Sequence, residues 1–192
     1  MEVITNFEDE TREYPLSNDW VLWFHKVDDN DWGDKSYKRV CKISSLKDYC
    51  SVFNHLTDIT KGIFFLMHEG IFPKWEDPSL INGGYFSFKV QKKICDDTFQ
   101  QLCYACVGNT IMKNPEDAKY IGGVQISPKI NNCIIKIFIK SRDKLSVDLL
   151  ADDLPNLYKK NINIKANQEA IKDDKENLEF METYKKEKEM AK

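Results

Sequence analysis

Short apolar runs separated by polar turns recur along the chain and predict strands. The run Asp19–Lys26 is aromatic and aliphatic at its centre, Gly62–Met67 is continuously apolar, and Tyr85–Val90 alternates apolar and polar positions. Runs of this length, rich in aromatic and β-branched side chains, are typical of strands. We therefore predict a strand at each of the three, and a further short strand over Tyr37–Ile43.

Two segments carry a pattern that predicts helices. The second of them begins at an N-cap formed by Asp96 or the aspartate after it and continues to about Val107, with Gly108 as its stop signal. The first follows an N-cap at Ser45 or the serine before it and continues to about Leu56. Its apolar side chains have the i, i+3, i+4, i+7 spacing of one helix face: Leu46, Tyr49, Cys50 and Phe53.

The second half of the chain adds a hairpin and a short final strand. Ile121–Ser127 and Cys133–Lys140 flank a pair of turn-forming asparagines, and Asn161–Ala166 alternates isoleucine with polar residues. Between them, Leu145–Lys160 has helical character broken by Pro155. Because strands and helices do not strictly alternate, we predict an α+β fold, a curved antiparallel sheet with helices packed on one face.

Length and composition indicate one domain with flanking segments. At roughly 150 residues per domain, 192 residues suffice for one domain and a tail. We predict a flexible acidic arm over residues 1–13, a folded domain over 14–167 and a charged helical extension over 168–192.

Charge and cysteine content exclude several classes of protein. The 28 basic and 31 acidic residues give a net charge of −3, which argues against a generic binder of duplex nucleic acid. The N-terminus lacks a basic signal region, and the apolar runs are too short to span a bilayer. Six scattered cysteines indicate reduced thiols. We expect a monomer without membrane attachment in the cytoplasm, with a nuclear location left open.

The sequence contains no recognisable catalytic or cofactor motif. Its three histidines lie outside any nucleophile or base motif, and its paired glycines lack the spacing of a phosphate loop. Cys103 and Cys106 form a CxxC inside a predicted helix, and no second pair completes a zinc site. We therefore predict a binding protein without catalytic residues, metal or cofactor.

The informative residues are two tryptophans in polar loops. Trp32 lies in an acidic loop, and Trp75 lies in a proline-bounded segment directly before Glu76. Aromatic rings held above a sheet can stack on a nucleobase, and a carboxylate beside them can accept both edge donors of guanine. A positively charged base would gain a cation–π contribution. For either tryptophan alone, a lid over the core is the alternative interpretation.

Several runs resemble the eukaryotic translation initiation factor 4E family of cap-binding proteins. Tyr14–Phe24 resembles the opening strand of the family, and Phe53–Leu56 resembles the end of its first helix. His68–Asp77, followed by the paired glycines at 83 and 84, is similar to its most specific motif. The resemblance covers about residues 14–165 and implies a cupped antiparallel sheet backed by helices, which agrees with the fold predicted above.

The resemblance also implies a ligand, the 7-methylguanosine cap of mRNA. Trp32 and Trp75 would sandwich the methylated base, the backbone N–H of Trp75 would donate to its carbonyl oxygen, and Glu76 would accept its two donors. The family's function is recruitment of capped mRNA for translation initiation. A repressor or cap-sequestering protein is the alternative, and a cap hydrolase using the same pocket is a weaker one.

The phosphate side of the implied site departs from the family pattern. Lys129 stands where an arginine usually meets the cap phosphates, and lysine loses the bidentate fork. Phe138 stands where the family has the third tryptophan of its pocket. The position of the family's second basic phosphate ligand falls near Cys133 or Ile134. Three residues could substitute for that second base: Lys136, Lys140 and Arg142.

The family's partner surface lies on the convex back, where a helix from a scaffold factor or repressor docks. Pro15 and Leu46 are retained, but the exposed helix-one tryptophan is replaced by Cys50, and the helix-two positions are Gln100 and Tyr104. Loss of a tryptophan removes a typical interface anchor. The resemblance therefore implies a divergent partner or a changed contact.

Overall fold

The computed structural model describes residues 14–56, 59–154, 161–176 and 179. In these ranges seven strands form one antiparallel sheet in the order β2-β1-β3-β5-β6-β4-β7. Their bounds are β1 Pro15–Lys26, β2 Lys38–Ser45, β3 Gly62–His68, β4 Gly84–Gln91, β5 Ile121–Pro128, β6 Asn132–Ile139 and β7 Asn163–Ala166. The predicted α+β fold with a curved antiparallel sheet is confirmed.

Three α-helices accompany the sheet in the part of the chain that the structure describes: α1 Leu46–His55, α2 Lys92–Val107 and α3, described over residues 167–176. The predicted cap of α1 is correct, because the Ser45 hydroxyl accepts from the Asp48 N–H while the Asp48 carboxylate accepts from the Ser45 N–H. This reciprocal arrangement is a capping box.

The predicted beginning of α2 is wrong. The helix begins at Lys92 directly after β4, and its N-cap Gln91 makes no side-chain capping bond. Gly108 ends the helix as predicted but keeps a right-handed backbone. The left-handed residue at this end is Asn109, with φ of 56°, a conformation that asparagine tolerates better than most residues.

The segment 145–154 contains no α-helix, contrary to the prediction for Leu145–Lys160. Its backbone is held elsewhere, because Ala151 N–H donates to the Ile111 carbonyl and Leu149 C=O accepts from the Lys113 N–H. Only short 3₁₀ turns form nearby, at Arg142–Lys144 and Val147–Leu149. The rest of that predicted helix lies outside the described residues, as do the arm over 1–13 and most of the extension beyond 176.

The main core lies between the sheet and helices α1 and α2. Phe99 and Leu102 of α2 are fully buried against the strand residues Trp20, Leu22 and Ile137. The Tyr49 hydroxyl of α1 donates to the carbonyl of Gln100 at 2.6 Å and so joins the two helices. We call this side of the sheet the helix side.

The opposite side of the sheet, the open side, carries a second aromatic cluster. It contains Tyr37, Phe65, Tyr85 and Phe138, with Trp23 packed against them. Neither α1 nor α2 reaches these residues, so the loops that follow β1 and β3 are free to lie over them.

The cysteines are distributed between the core and the surface. All six are free thiols, and four of them are buried: Cys95, Cys103, Cys106 and Cys133. Within the described ranges, no helix is both long and apolar enough to cross a membrane. The same ranges contain no group of three or more His, Cys, Asp or Glu placed to hold a metal ion.

Candidate functional site

Trp32 projects from the loop between β1 and β2 and stacks on a buried histidine. Its ring lies 4.2 Å from that of His25 with an interplanar angle of 4°. His25 is fully buried, and its ring nitrogens lie 2.9 Å from the carbonyl oxygens of Lys26 and Asp31. Trp32 itself remains 49% exposed, so one ring face is supported by the protein and the other is available.

The acidic residues of this loop shape its backbone. The Asp29 carboxylate accepts from the Asp31 N–H at 2.9 Å, and the Asp31 carboxylate accepts from the Gly33 N–H at 2.7 Å. Such side-chain to backbone bonds two residues apart are Asx turns. The loop is therefore ordered by its own aspartates, and the sequence spacing Asp-x-Asp-x-Gly is the signal for it.

Trp75 lies in the loop between β3 and β4. The Asp77 carboxylate accepts from the backbone N–H groups of Phe72 and Ser79, both at 2.8 Å, and fixes the loop around the tryptophan. The half-buried Trp75 ring stacks on Tyr85 of β4 with centroids 6.0 Å apart and an interplanar angle of 18°. Glu76, the next residue, is exposed.

The two tryptophan loops contact each other. The Lys74 ammonium pairs with the Asp34 carboxylate at 2.7 Å, and Phe72 meets Tyr37 edge to face at 5.2 Å. Among the described residues, ring contacts join Trp32 to His25 and Tyr37 but do not join it to Trp75. The structure therefore brings the two loops together over the open side without ring contact between the tryptophans.

Glu76 and Asp34 act electrostatically on Tyr37 beneath the loops. Burial raises the pKa of the Tyr37 hydroxyl, and the negative charges of Glu76 and Asp34 raise it further. Tyr37 therefore stays a neutral hydroxyl under the two loops. The sequence pattern marks this residue only as the first position of a strand.

Lys136 is the predicted phosphate contact whose ammonium reaches the aromatic site. It lies on β6 opposite Ser87 and Gln125, and its ammonium is 4.7 Å from the centroid of the Trp75 ring and 4.5 Å from that of Tyr85. Burial lowers the pKa of Lys136 to about 8, against an opposing effect of the Asp174 carboxylate.

The other predicted phosphate contacts lie at two ends of one hairpin. Lys129 is exposed at the turn between β5 and β6, whereas Lys140 and Arg142 follow the far end of β6. An eight-residue strand spans roughly 27 Å, so these groups cannot meet one triphosphate together. Arg142 is moreover paired with Glu169 at 3.4 Å. Of the three possible substitutes, only Lys136 has its charged group against the ring of a loop tryptophan, Trp75, in the described residues.

Phe138, expected as a ring of the pocket, lies buried beneath the loops. It is 1% exposed and packs edge to face against Tyr85, with centroids 6.2 Å apart. The strand register explains this, because Phe138 pairs directly with Tyr85 across β6 and β4. The ring that faces Trp75 is Tyr85, which the sequence pattern marks only as the start of a strand.

Helix α3 forms an acidic border at this site. Its first residue, Asn167, donates to the Leu80 carbonyl at 2.7 Å, and Ala170 is buried in the open-side cluster. Nearly two turns after Asn167, Asp173 pairs with Lys165 at 2.6 Å. Burial raises the pKa of Asp174, and the negative charge of Glu76 adds to that shift. The helix thus carries carboxylates up to the edge of the site.

The expected partner residues gather on the helix side. The Gln100 carbonyl accepts from Tyr49, and Tyr49 in turn meets the exposed ring of Tyr104 at 5.9 Å. Pro15 pairs with Ser45 at the beginning of α1. On that helix, two further expected residues follow: Leu46 is half-buried and Cys50 is exposed. The predicted residues therefore form one surface across α1, α2 and the start of β1.

A family model connects this geometry to known proteins. The model described as "Eukaryotic initiation factor 4E" matches residues 15–189. The chain belongs to the eukaryotic initiation factor 4E family. Translation initiation factor 4E of Dictyostelium discoideum is 31% identical over 138 residues, which are 67% of this chain and 53% of that protein. The Candida albicans factor is 24% identical over 191 residues, which are 93% of this chain and 84% of that protein.

The chain spans only about half the length of some relatives that it matches, including the Dictyostelium factor. Among solved structures, Caenorhabditis elegans eIF4E-3 with the 4E-binding protein Mextli and cap analog has a TM-score of 0.73 at 23% identity, covering 83% of this chain and 95% of that one. Ascaris suum eIF4E-3 with m7G cap has a TM-score of 0.64 at 24% identity, covering 72% and 79%. These likenesses show the fold.

Proposed function

We propose that this protein binds the 7-methylguanosine cap of mRNA and recruits capped mRNA for translation initiation. The observation that carries the proposal is the joining of the Trp32 loop to the Trp75–Glu76 loop over one face of the sheet by the Asp34–Lys74 ion pair. Membership of the initiation factor 4E family supports it. So does the related Ascaris structure, in which the bound ligand is an m7G cap.

The base is recognised by stacking and by one carboxylate. Trp32 offers the ring face that His25 does not cover, and Trp75 offers its indole from the facing loop. Stacking contributes about 1–3 kcal/mol per ring, and a positive charge on the methylated base adds a cation–π contribution. Glu76 accepts hydrogen bonds from the ring N–H and the exocyclic amine of guanine, and the Trp75 N–H donates to its carbonyl oxygen.

The phosphates are bound by lysine rather than arginine. Lys129 is exposed at the β5–β6 turn, and Lys136 lies between the turn and the far end of β6. Both supply single positive charges without the bidentate geometry of arginine. We therefore expect weaker anchoring of the triphosphate than an arginine pair would give, and a larger share of the affinity from the base.

A second candidate function is cap-dependent repression through an altered partner surface. The observation in its favour is the helix side, where Cys50 replaces the expected tryptophan and Tyr104 is an exposed ring on α2. Related proteins have been solved in complex with 4E-binding proteins. We propose a partner helix with changed contacts on this surface. The protein acts by binding and not by catalysis, as a monomer in the cytoplasm, with a nuclear location left open.

The decisive experiment is calorimetric titration with 7-methyl-GTP of the wild type and of Trp75→Ala and Glu76→Gln. Each substitution is expected to weaken binding at least tenfold, because each removes a contact to the base. Ile164→Ala is the matched control, since it truncates an exposed apolar side chain on β7 away from both loops. Equal affinity of Trp75→Ala and wild type would contradict the proposal.

A further inference from the structure

Lys136 is set apart from the other lysines of the sheet by its aromatic neighbours. Its ammonium lies 4.7 Å from the centroid of Trp75 and 4.5 Å from that of Tyr85, whose rings are inclined by only 18° to each other. These distances are within the range of cation–π contacts with both rings. The Trp75 indole, which is proposed to stack on the base, is therefore already in contact with a positively charged side chain of the protein.

The charged groups that act on Lys136 lie on three neighbouring segments. Asp174 on α3 favours its charged form, whereas Lys129 at the β5–β6 turn and Lys165 on β7 oppose it. Glu76 faces Asp174 from the tryptophan loop. The lysine is half-buried among them on the central part of β6. The attractive contacts of its ammonium are therefore the two aromatic rings and the Asp174 carboxylate.

A lysine ammonium in contact with a tryptophan ring lowers the affinity of that ring for a second cation. A second positive charge on either face of the ring is repelled by the first, and the repulsion is strong because the ammonium is poorly solvated. A neutral base is not repelled in this way and still gains the stacking contribution. The charge of Lys136 therefore distinguishes the N7-methylated, cationic form of guanine from the unmethylated, neutral form.

We infer that Lys136 is a specificity-determining residue of the proposed site, and that it lowers the preference for a cationic methylated guanine over a neutral guanine. The inference rests on the proposed function and deepens it. The ligand class it predicts is a guanine nucleotide 5′-triphosphate in which N7 methylation contributes less affinity than the tryptophan pair alone would give. No contact between Lys136 and the phosphates is needed for this effect.

The test compares two ligands that share the same triphosphate. Binding of 7-methyl-GTP and of GTP is measured by calorimetry at about pH 6.5, below the Lys136 pKa of about 8, so that the ammonium is charged. Lys136→Met removes the charge and leaves an unbranched apolar side chain that is one atom shorter than lysine. It is expected to raise the ratio of the two affinities in favour of 7-methyl-GTP by roughly three- to tenfold. Lys136→Arg keeps the charge and is expected to leave the ratio within about twofold.

Lys89→Met is the matched control, because Lys89 lies two residues from Ser87 on the same face of β4 but is exposed and makes no ring contact with the described residues. The ratio of the affinities for 7-methyl-GTP and GTP in Lys89→Met is expected to equal that of the wild type. If Lys136→Met weakens both ligands equally and leaves the ratio unchanged, Lys136 is a phosphate ligand only and the inference is overturned.

Failure of the inference and failure of the proposed function give different results. Wild type that binds neither nucleotide overturns both. Wild type that binds 7-methyl-GTP, with the same ratio in Lys136→Met, overturns the inference alone. Circular dichroism checks the fold of each variant, and Lys136→Gln replaces Lys136→Met in the same ratio measurement if the methionine variant does not fold.

Discussion

Asp34 and Lys74 form an ion pair of 2.7 Å between the two loops that carry Trp32 and Trp75. The Asp34 side chain is largely exposed, whereas Lys74 is mostly covered and its ammonium lies 5.9 Å from the centroid of the Tyr37 ring. The two loops are otherwise far apart in sequence and arise from opposite ends of neighbouring strands. The pair therefore sets the relative position of the two tryptophans more than it stabilises the fold.

We predict that Asp34→Ala weakens binding of 7-methyl-GTP about three- to tenfold, because the loops must then be ordered by the ligand itself. The free energy of unfolding is expected to change by less than about 1 kcal/mol, as is usual for exposed pairs. Calorimetry and urea unfolding measure the two effects. Asp28→Ala is the control, since its ion pair with Lys26 at the end of β1 does not join the two tryptophan loops. Equal affinity losses in both variants would contradict the role given to Asp34.

His25 supports Trp32 from below, and its loss should affect both stability and binding. In His25→Leu the Asp31 carbonyl oxygen loses its contact with the imidazole, whereas the Lys26 carbonyl oxygen keeps the Asp29 N–H. The free energy of unfolding is expected to fall by about 1–3 kcal/mol. Quenching of tryptophan fluorescence by 7-methyl-GTP should weaken as well. His55→Leu, at an exposed position on α1, serves as the control. If the free energy of unfolding of His25→Leu equals that of the wild type, the supporting role given to His25 is refuted.

The pH dependence of the free energy of unfolding should reveal that the Lys136 ammonium is buried. Its pKa falls from the usual 10.5 to about 8 in the folded state, so the unfolded chain binds more protons between these values. The free energy of unfolding therefore rises with pH across this window. Below pH 8, Lys136→Met is expected to be more stable than wild type by up to about 3 kcal/mol, and the difference should vanish above pH 10.5.

The measurement for Lys136 is urea unfolding of the two proteins at a series of pH values. Taking the difference between them removes the contribution of the buried tyrosines, whose pKa values are raised in both. Lys89→Met provides the same charge change at an exposed position. A difference between wild type and Lys136→Met that does not vary with pH would show that the ammonium is not desolvated.

The six cysteines should differ sharply in reactivity. Cys50 is exposed on α1, whereas burial raises the pKa values of Cys103 and Cys106 on α2. Because the thiolate is the reactive form, a brief treatment with iodoacetamide is expected to alkylate Cys50 first. Peptide mass spectrometry identifies the site. Equal labelling of the α2 cysteines in folded protein would contradict the packing of that helix.

The same modification tests the partner surface. A carbamidomethyl group on Cys50 is expected to weaken binding of a partner helix without changing affinity for 7-methyl-GTP, because α1 and the tryptophan loops lie on opposite sides of the sheet. A Cys50→Ser protein treated in the same way is the control. Loss of nucleotide affinity on alkylation would show that the two surfaces are not independent.

The strands and the beginning of α1 could be predicted because their signals are local. Continuous apolar runs mark β1 and β3, and Ser45 with Asp48 is a complete capping box. The start of α2 could not be predicted, since its N-cap Gln91 makes no side-chain bond. The helix predicted over 145–154 was wrong because hydrogen bonds to Ile111 and Lys113, distant in the same chain, outweigh the local pattern.

The site was predictable only in part, for a related reason. Trp32, Trp75 and Glu76 are marked by their positions in polar loops, and the structure places both loops on one face. The proximity of Lys136 to Trp75 depends on the register of β6 against β4, which periodicity does not reveal. Likewise, composition marks α3 as charged, but its docking depends on two small residues, Asn167 and Ala170.

The central claim is that the two tryptophan loops form a site for a methylated guanine. The most direct measurement is quenching of intrinsic tryptophan fluorescence by 7-methyl-GTP, compared with quenching by ATP, a purine triphosphate whose base is neutral. We expect saturable quenching by 7-methyl-GTP and no saturable response to ATP, since adenine lacks the two donors that Glu76 accepts. Equal responses to both nucleotides, or none to either, would contradict the claim.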